Sequence, residues 1–148
     1  VDPAPASETL SVPSLRSTIC DEGERMFQRM RALFALRNIG GADAIEALAA
    51  AYSSKSALLK HEIAYVMGQM QDPAAVPHLI NRLEDHGEDL MVRHEAAEAL
   101  GAIGDRTALA TLEKFVDDPE PVVAESCEVA MDLLEYVASK SLDYEVTD

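Results

Sequence analysis

Ala99-Leu100-Gly101-Ala102-Ile103-Gly104 is the stretch that decides the fold. The same pattern stands earlier as Ala35-Leu36-Arg37-Asn38-Ile39-Gly40. Further on, Cys127, Ala130, Met131 and Leu134 repeat the spacing of Ala96, Ala99, Leu100 and Ile103. Each copy is an apolar stripe at helical spacing, and in two of them a Gly follows where a helix should stop. A shorter helical stretch and a turn precede each copy. The order is short helix, turn, longer helix, four times over. Equivalent positions in the longer helices are Met30, His61, His94 and Glu125, in steps of 31, 33 and 31 residues. A fixed period near 30 with paired helices marks an α-solenoid. The expected fold is all-α, about four helical hairpins or eight helices. The longer helices should lie side by side on one face, with axes about 8–10 Å apart.

Working outward, the spacing predicts a short helix over Val12–Cys20 and a longer one that Asp21 caps and that runs to Ile39. Further helices are expected over Ala42–Tyr52, Ser56–Met70, Ala74–Leu83, Leu90–Ile103, Thr107–Val116 and Pro121–Val137. The first fourteen residues hold Pro3, Pro5 and Pro13 among Ser and Ala and read as a linker-like segment. Residues 15–138 form the repeat domain, and 139–148 an acidic tail. The chain opens on Val1 without a Met, so a fragment or a segment following another domain is expected. No signal peptide is visible.

At 148 residues the chain is long enough to bury a core. It has four Tyr, three Phe and no Trp, with Ala and Leu dominant, a mix that suits close helix-on-helix packing. The formal charge of −15 disfavours nucleic acid and anionic membrane as partners and favours a basic one, with solubility alone as the plainer alternative. No apolar run approaches the roughly 18 residues of a membrane span. Cys20 and Cys127 are not spaced as zinc ligands and point to a reducing cytoplasm. Cys127 falls in the apolar helical register and is expected to be a core residue. His78 and His86 are off register and are expected at the surface.

Two doublets occupy matching places in the repeat: Lys60-His61-Glu62 and Arg93-His94-Glu95. Adjacent helical residues project about 100° apart, so each doublet spreads an imidazole and a carboxylate over a quarter turn. On neighbouring helices the two can still converge on one patch. Imidazole with carboxylate suits iron, manganese or zinc. Zinc-peptidase chemistry is excluded, because the position four after each His is Tyr65 or Glu98. His61, Glu62, His94 and Glu95 are thus four candidate metal ligands on one face. Di-iron centres in helical bundles use six side chains, so four make an incomplete site. A polar, solvated helix face is the plainer alternative.

The doublets carry a resemblance. Ser56-Ala57-Leu58-Leu59-Lys60-His61-Glu62, Tyr65-Val66-Met67-Gly68-Gln69-Met70-Gln71, and Met91-Val92-Arg93-His94-Glu95-Ala96 with Glu98-Ala99-Leu100-Gly101 resemble the deoxyhypusine hydroxylase family. The generic Ala-Leu-Gly-x-Ile-Gly and Asp-Pro-Ala-Ala-Val-Pro pieces look like HEAT-type repeats. The resemblance implies two similar halves, each of four HEAT-type hairpins, with a di-iron centre between them and dioxygen as co-substrate. It implies hydroxylation of the deoxyhypusine side chain of translation initiation factor five A. This chain has one half, and its flanks look most like the C-terminal one. By matching positions, His61, Glu62, His94 and Glu95 are the implied metal ligands, and Glu62 and Glu95 the implied catalytic carboxylates, one of which is open to contact substrate. Leu58 and Met91, one turn before each His, are expected either to wall the substrate chain or to be core residues. Gly68 and Gly101 match each other and are expected to allow close helix approach. A second His-Glu half, an N-terminal half or a second copy, is the implied partner. A non-enzymatic HEAT-repeat scaffold is the alternative.

Overall fold

Side-chain caps and glycines set the helix ends in a computed structural model that describes residues 1–147, with side-chain surroundings for 1–140. The helices are α1 (Val12–Ile19), α2 (Met26–Ile39), α3 (Gly41–Ala50), α4 (Ala57–Met70), α5 (Val76–Glu84), α6 (Leu90–Ile103), α7 (Leu109–Phe115) and α8 (Pro121–Thr147). Among the described residues no β-strand forms. Ser56 caps α4 by accepting from the Leu59 N–H, and Asp89 caps α6 by accepting from the Met91 N–H. Asp72 and Asp105 each cap a single 3-10 turn that leads into α5 and α7. Gly104 ends α6 with φ 78°, the left-handed conformation glycine adopts without strain.

Two expected boundaries move by more than two residues, at the start of α2 and the end of α8. Asp21 does not cap α2, because its carboxylate accepts the Gly23 N–H at 2.9 Å and closes a turn of its own, so α2 begins only at Met26. Helix α8 does not stop at Val137, because the residues that follow contain neither Gly nor Pro to end it. The side chains of the acidic tail from 141 onward lie outside the described residues.

The short and long helices pair as α1/α2, α3/α4, α5/α6 and α7/α8, and the long ones α2, α4, α6 and α8 pack in sequence along one face. Between the layers lies the apolar core, in which Leu33, Leu36, Ile45, Leu48, Ile63, Met67, Leu79 and Leu100 are fully shielded from solvent. Cys127 joins them there. Burial, then the charge of Asp118, pushes its thiol up to about 11, so it stays a small apolar group. The proline-rich lead is held against α2: Ala4 is buried, Ser7 N–H donates to the Arg31 carbonyl, and Arg37 grips the Asp2 carboxylate at 2.6 and 2.9 Å.

Close approach of the long helices depends on two glycines in matching register. A Cβ on Gly68 would meet Ala99 Cα at 3.1 Å, and one on Gly101 would meet Ala130 Cα at 3.1 Å. The obstructing atoms are backbone, so the helices themselves would have to move. Gly101→Ala gains helix propensity of up to about 1 kcal/mol but overpacks this crossing by about 1–3 kcal/mol. A net loss of about 1 kcal/mol is the expected result in urea unfolding, where the same change at an exposed helical site would stabilise.

Pins at the start of the long helices fix their rotation. Arg29 Nε donates to the Ile19 carbonyl at 2.9 Å, and Arg93 Nε donates to the Leu83 carbonyl at 3.0 Å. Both guanidinium groups are buried. Arg93 goes on to clasp Asp118 at 2.7 and 3.3 Å. Lys60 reaches Glu88 at 2.6 Å, and Arg82 holds the other oxygen of Glu88 at 2.9 Å. With the base of each doublet turned back into the layer behind, the next residue, about 100° on, is turned toward the open face.

Candidate metal centre

Helix α4 supplies His61 and Glu62, and α6 supplies His94, Glu95 and Glu98. Ligand atoms of His94, Glu95 and Glu98 converge, and His61 meets Glu95 from α4 while Glu62 meets only His61. His61 Nε2 lies 3.1 Å from Glu95 Oε1, and His94 Nε2 lies 3.7 Å from the same oxygen. His94 Nε2 is also 3.7 Å from Glu98 Oε1. One ligand atom from each of His94, Glu95 and Glu98 falls within 4.8 Å of the other two. Glu95 is therefore the centre of the arrangement, the one carboxylate that meets both imidazoles. It is also the most enclosed, with its side chain 13 % exposed against 53 % for Glu98. Glu62 stands to one side, 3.7 Å from the Nδ1 nitrogen of His61.

Sequence spacing places His61, Glu62, His94 and Glu95 on one face, and there they are. Sequence spacing assigns Glu98 no ligand role, yet Glu98 joins the cluster. The signal was present: residues four apart on a helix share a face, so His94 and Glu98 had to be neighbours. Leu58 and Met91 are 58 % and 49 % exposed, which removes core packing as their role. His86 is at the surface against Phe115, and His78 is partly exposed beside Glu46.

The donor set fits a cation. Three carboxylates and two imidazoles gather on one face, and neither adjacent base neutralises them: Lys60 turns to Glu88 and Arg93 to Asp118. Carboxylate and imidazole oxygens and nitrogens are the ligands that non-haem iron and manganese take. In the metal-free chain a carboxylate can only accept, so His61 Nε2 donates its proton to Glu95. A metal bound at that nitrogen would displace the proton. Grooves of about 290 and 350 Å³ both reach Glu95. The first is walled by Tyr65, Gly68, Gln69 and Ala99 with Glu98 at its edge. The second runs from His61 and Glu62 to the lead residues Asp2 and Pro3.

Stacked helical hairpins with a polar cluster on the face of the long helices define a repeat protein, and the chain belongs to the HEAT-repeat family, whose model matches residues 12–90 and 53–132. Within that class it is homologous to deoxyhypusine hydroxylases. It is 54 % identical over 140 residues to deoxyhypusine hydroxylase-B of Oryza sativa subsp. japonica, covering 94 % of this chain and 46 % of that protein. It is 51 % identical over 144 residues to deoxyhypusine hydroxylase of Homo sapiens, covering 97 % of this chain and 48 % of that protein. The solved structure of human deoxyhypusine hydroxylase in complex with glycerol superposes with a TM-score of 0.89 at 53 % identity, over 92 % of this chain and 47 % of that one. The chain thus spans about half the length of the curated relatives it matches. No helix among the described residues is long and apolar enough to cross a membrane.

Proposed function

We propose that this chain is one His-Glu half of a deoxyhypusine hydroxylase, an iron-dependent monooxygenase that uses dioxygen to hydroxylate the deoxyhypusine side chain of translation initiation factor five A. The observation that carries the reading is the position of Glu95 between His61 and His94, at 3.1 and 3.7 Å, on two neighbouring helices. Two imidazoles and one carboxylate with open positions form the usual set for a non-haem iron that activates dioxygen. His61, His94 and Glu95 would hold the metal, with Glu62 as a fourth ligand or as a carboxylate facing substrate. Bound there, iron supplies the one-electron and dioxygen chemistry that side chains lack.

The chain's own groups account for the rest of the reading. Glu62 and Glu95 offset the metal's charge and set the site's affinity for a cationic side chain. The substrate is polyamine-like, and a chain of net charge −15 steers it by long-range attraction. Leu58 and Met91 are exposed one turn before each His, where they would wall the aliphatic part of that side chain. The body over 15–138 carries the site, with 1–14 as a proline-rich linker-like segment and 139–148 as an acidic tail. A second His-Glu half completes the ligand count, either an N-terminal half or a second copy related by two-fold symmetry. The free cysteines Cys20 and Cys127 suit a cytoplasmic protein.

The test is iron analysis of the assembled two-half protein. About two irons per assembly are expected. His61→Ala and His94→Ala should each lower iron occupancy while the helical circular dichroism stays unchanged. Full iron in both variants would end the ligand assignment.

A further inference from the structure

Ser126 lies on α8 one residue past Glu125, which is the register counterpart of His94. Ser126 is therefore the counterpart of Glu95 one repeat later. Side chains at this register reach back to the preceding long helix. Glu95 meets His61, and Ser126 meets His94, with its Oγ 2.7 Å from Nδ1. The two differ in which ring nitrogen they touch: Glu95 takes Nε2 of its histidine and Ser126 takes Nδ1.

The hydroxyl of Ser126 has one proton, and it is already placed. Oγ donates to the Val122 carbonyl at 2.6 Å, one turn back along α8. Toward a second partner the oxygen can only accept. The proton of the neutral His94 ring therefore sits on Nδ1. Its lone pair is on Nε2, the nitrogen that faces Glu95 and Glu98 at 3.7 Å. Ser126 is buried, at 7 % exposure, so water does not compete for this arrangement.

We propose that Ser126 is a positioning residue of the metal centre, locking His94 in the Nδ1–H tautomer so that Nε2 is presented as the ligating nitrogen. The proposal rests on the metal reading of the same cluster. Without the lock the ring has reason to choose the other tautomer, because two carboxylates face Nε2 and both accept protons. That tautomer puts a proton where the metal must bind. A serine at this register touches His94 without adding a further negative charge beside Glu95 and Glu98. Partners of this kind fix the orientation of ligating histidines, and their loss lowers metal affinity about 10–100-fold.

The experiment is two-bond proton–nitrogen NMR of the imidazoles in the metal-free 148-residue chain at alkaline pH, followed by cobalt(II) titration of the same samples with and without a second half. The expected result is an Nδ1–H pattern for His94 in the native chain. Ser126→Ala should shift it toward Nε2–H and weaken cobalt binding about 10-fold or more. Ser126→Thr keeps a hydroxyl that bonds the carbonyl four residues back, and should retain the native pattern. An Nε2–H ring in the native chain, or an unchanged pattern in Ser126→Ala, overturns the proposal. So does equal cobalt affinity of the native and Ser126→Ala proteins. The tautomer arm needs no metal. An Nδ1–H ring in a protein that binds no cobalt in any assembly would sink the metal reading and, with it, the positioning role.

Discussion

Arg93→Ala is expected to lower the free energy of unfolding by about 3–5 kcal/mol, the usual cost of removing one partner of a buried ion pair. Both members are shielded, with side-chain exposures of 1 % for Arg93 and 0 % for Asp118. The substitution orphans more than one group. Asp118 loses a two-point clasp, the Leu83 carbonyl loses its donor, and the Phe115 ring loses the guanidinium packed 5.8 Å from its centre. Replacing the pair together with apolar residues, as in Arg93→Met with Asp118→Leu, should recover most of the loss, because the desolvation cost goes with the charges. The check is a double-mutant cycle by urea unfolding. Equal losses for the single and double variants would show that packing and not charge is at stake.

The same clasp makes stability depend on pH. Burial pushes the Asp118 carboxyl up, but the hydrogen bonds from Arg93 and the Glu120 N–H, with the charge of Arg93, outweigh it and hold the group below its ordinary value. Glu88 follows the same pattern: burial raises it, and Lys60, the Asp89 N–H and Arg82 bring it below. A depressed folded pKa contributes stability that is complete above the unfolded value, about pH 4, and is lost as pH falls through the folded one. The native chain should lose stability below about pH 4, and Arg93→Ala should lose less over the same window, since its Asp118 contribution is already gone.

Glu95→Ala carries the second large effect, on metal and not on folding. Glu95 alone touches both imidazoles, so its removal should lower iron affinity of the assembled protein by more than about 100-fold, beyond the range of residues that only orient ligands. Glu62→Ala should cost less, because Glu62 meets only the far nitrogen of His61. In the metal-free chain Glu95→Ala should change stability by about 1 kcal/mol or less, the worth of one hydrogen bond to His61, offset by relief among three like charges. Iron content and urea unfolding on the same variant separate the two. An unfolded Glu95→Ala chain, or one with undiminished iron, would contradict the assignment.

The repeat was legible because solenoid packing imposes a period that any turn chemistry must keep. Ala99 to Gly104 and its copies marked the long helices, and Gly68 and Gly101 marked their close crossings. What escaped were interactions that leave no periodic trace. Asp21 looked like a cap and is a turn residue because Gly23 lies two positions on. Glu98 stands where a zinc peptidase has its second histidine, and its place one turn after His94 makes it a neighbour of that ring. Ser126 had no chemistry of its own to attract notice. Its meaning depends on where α8 crosses α6, and a sequence shows that only through the register of one repeat against the next.

His61, Glu95 and His94 are proposed as half of an iron site that a facing half completes. Iron content measured across a sedimentation profile of the 148-residue chain tests it most directly. Iron is expected to follow only associated species, two copies or a copy with a second His-Glu half, and the single chain should sediment without stoichiometric iron. One tightly held iron per chain in a proven monomer would contradict it.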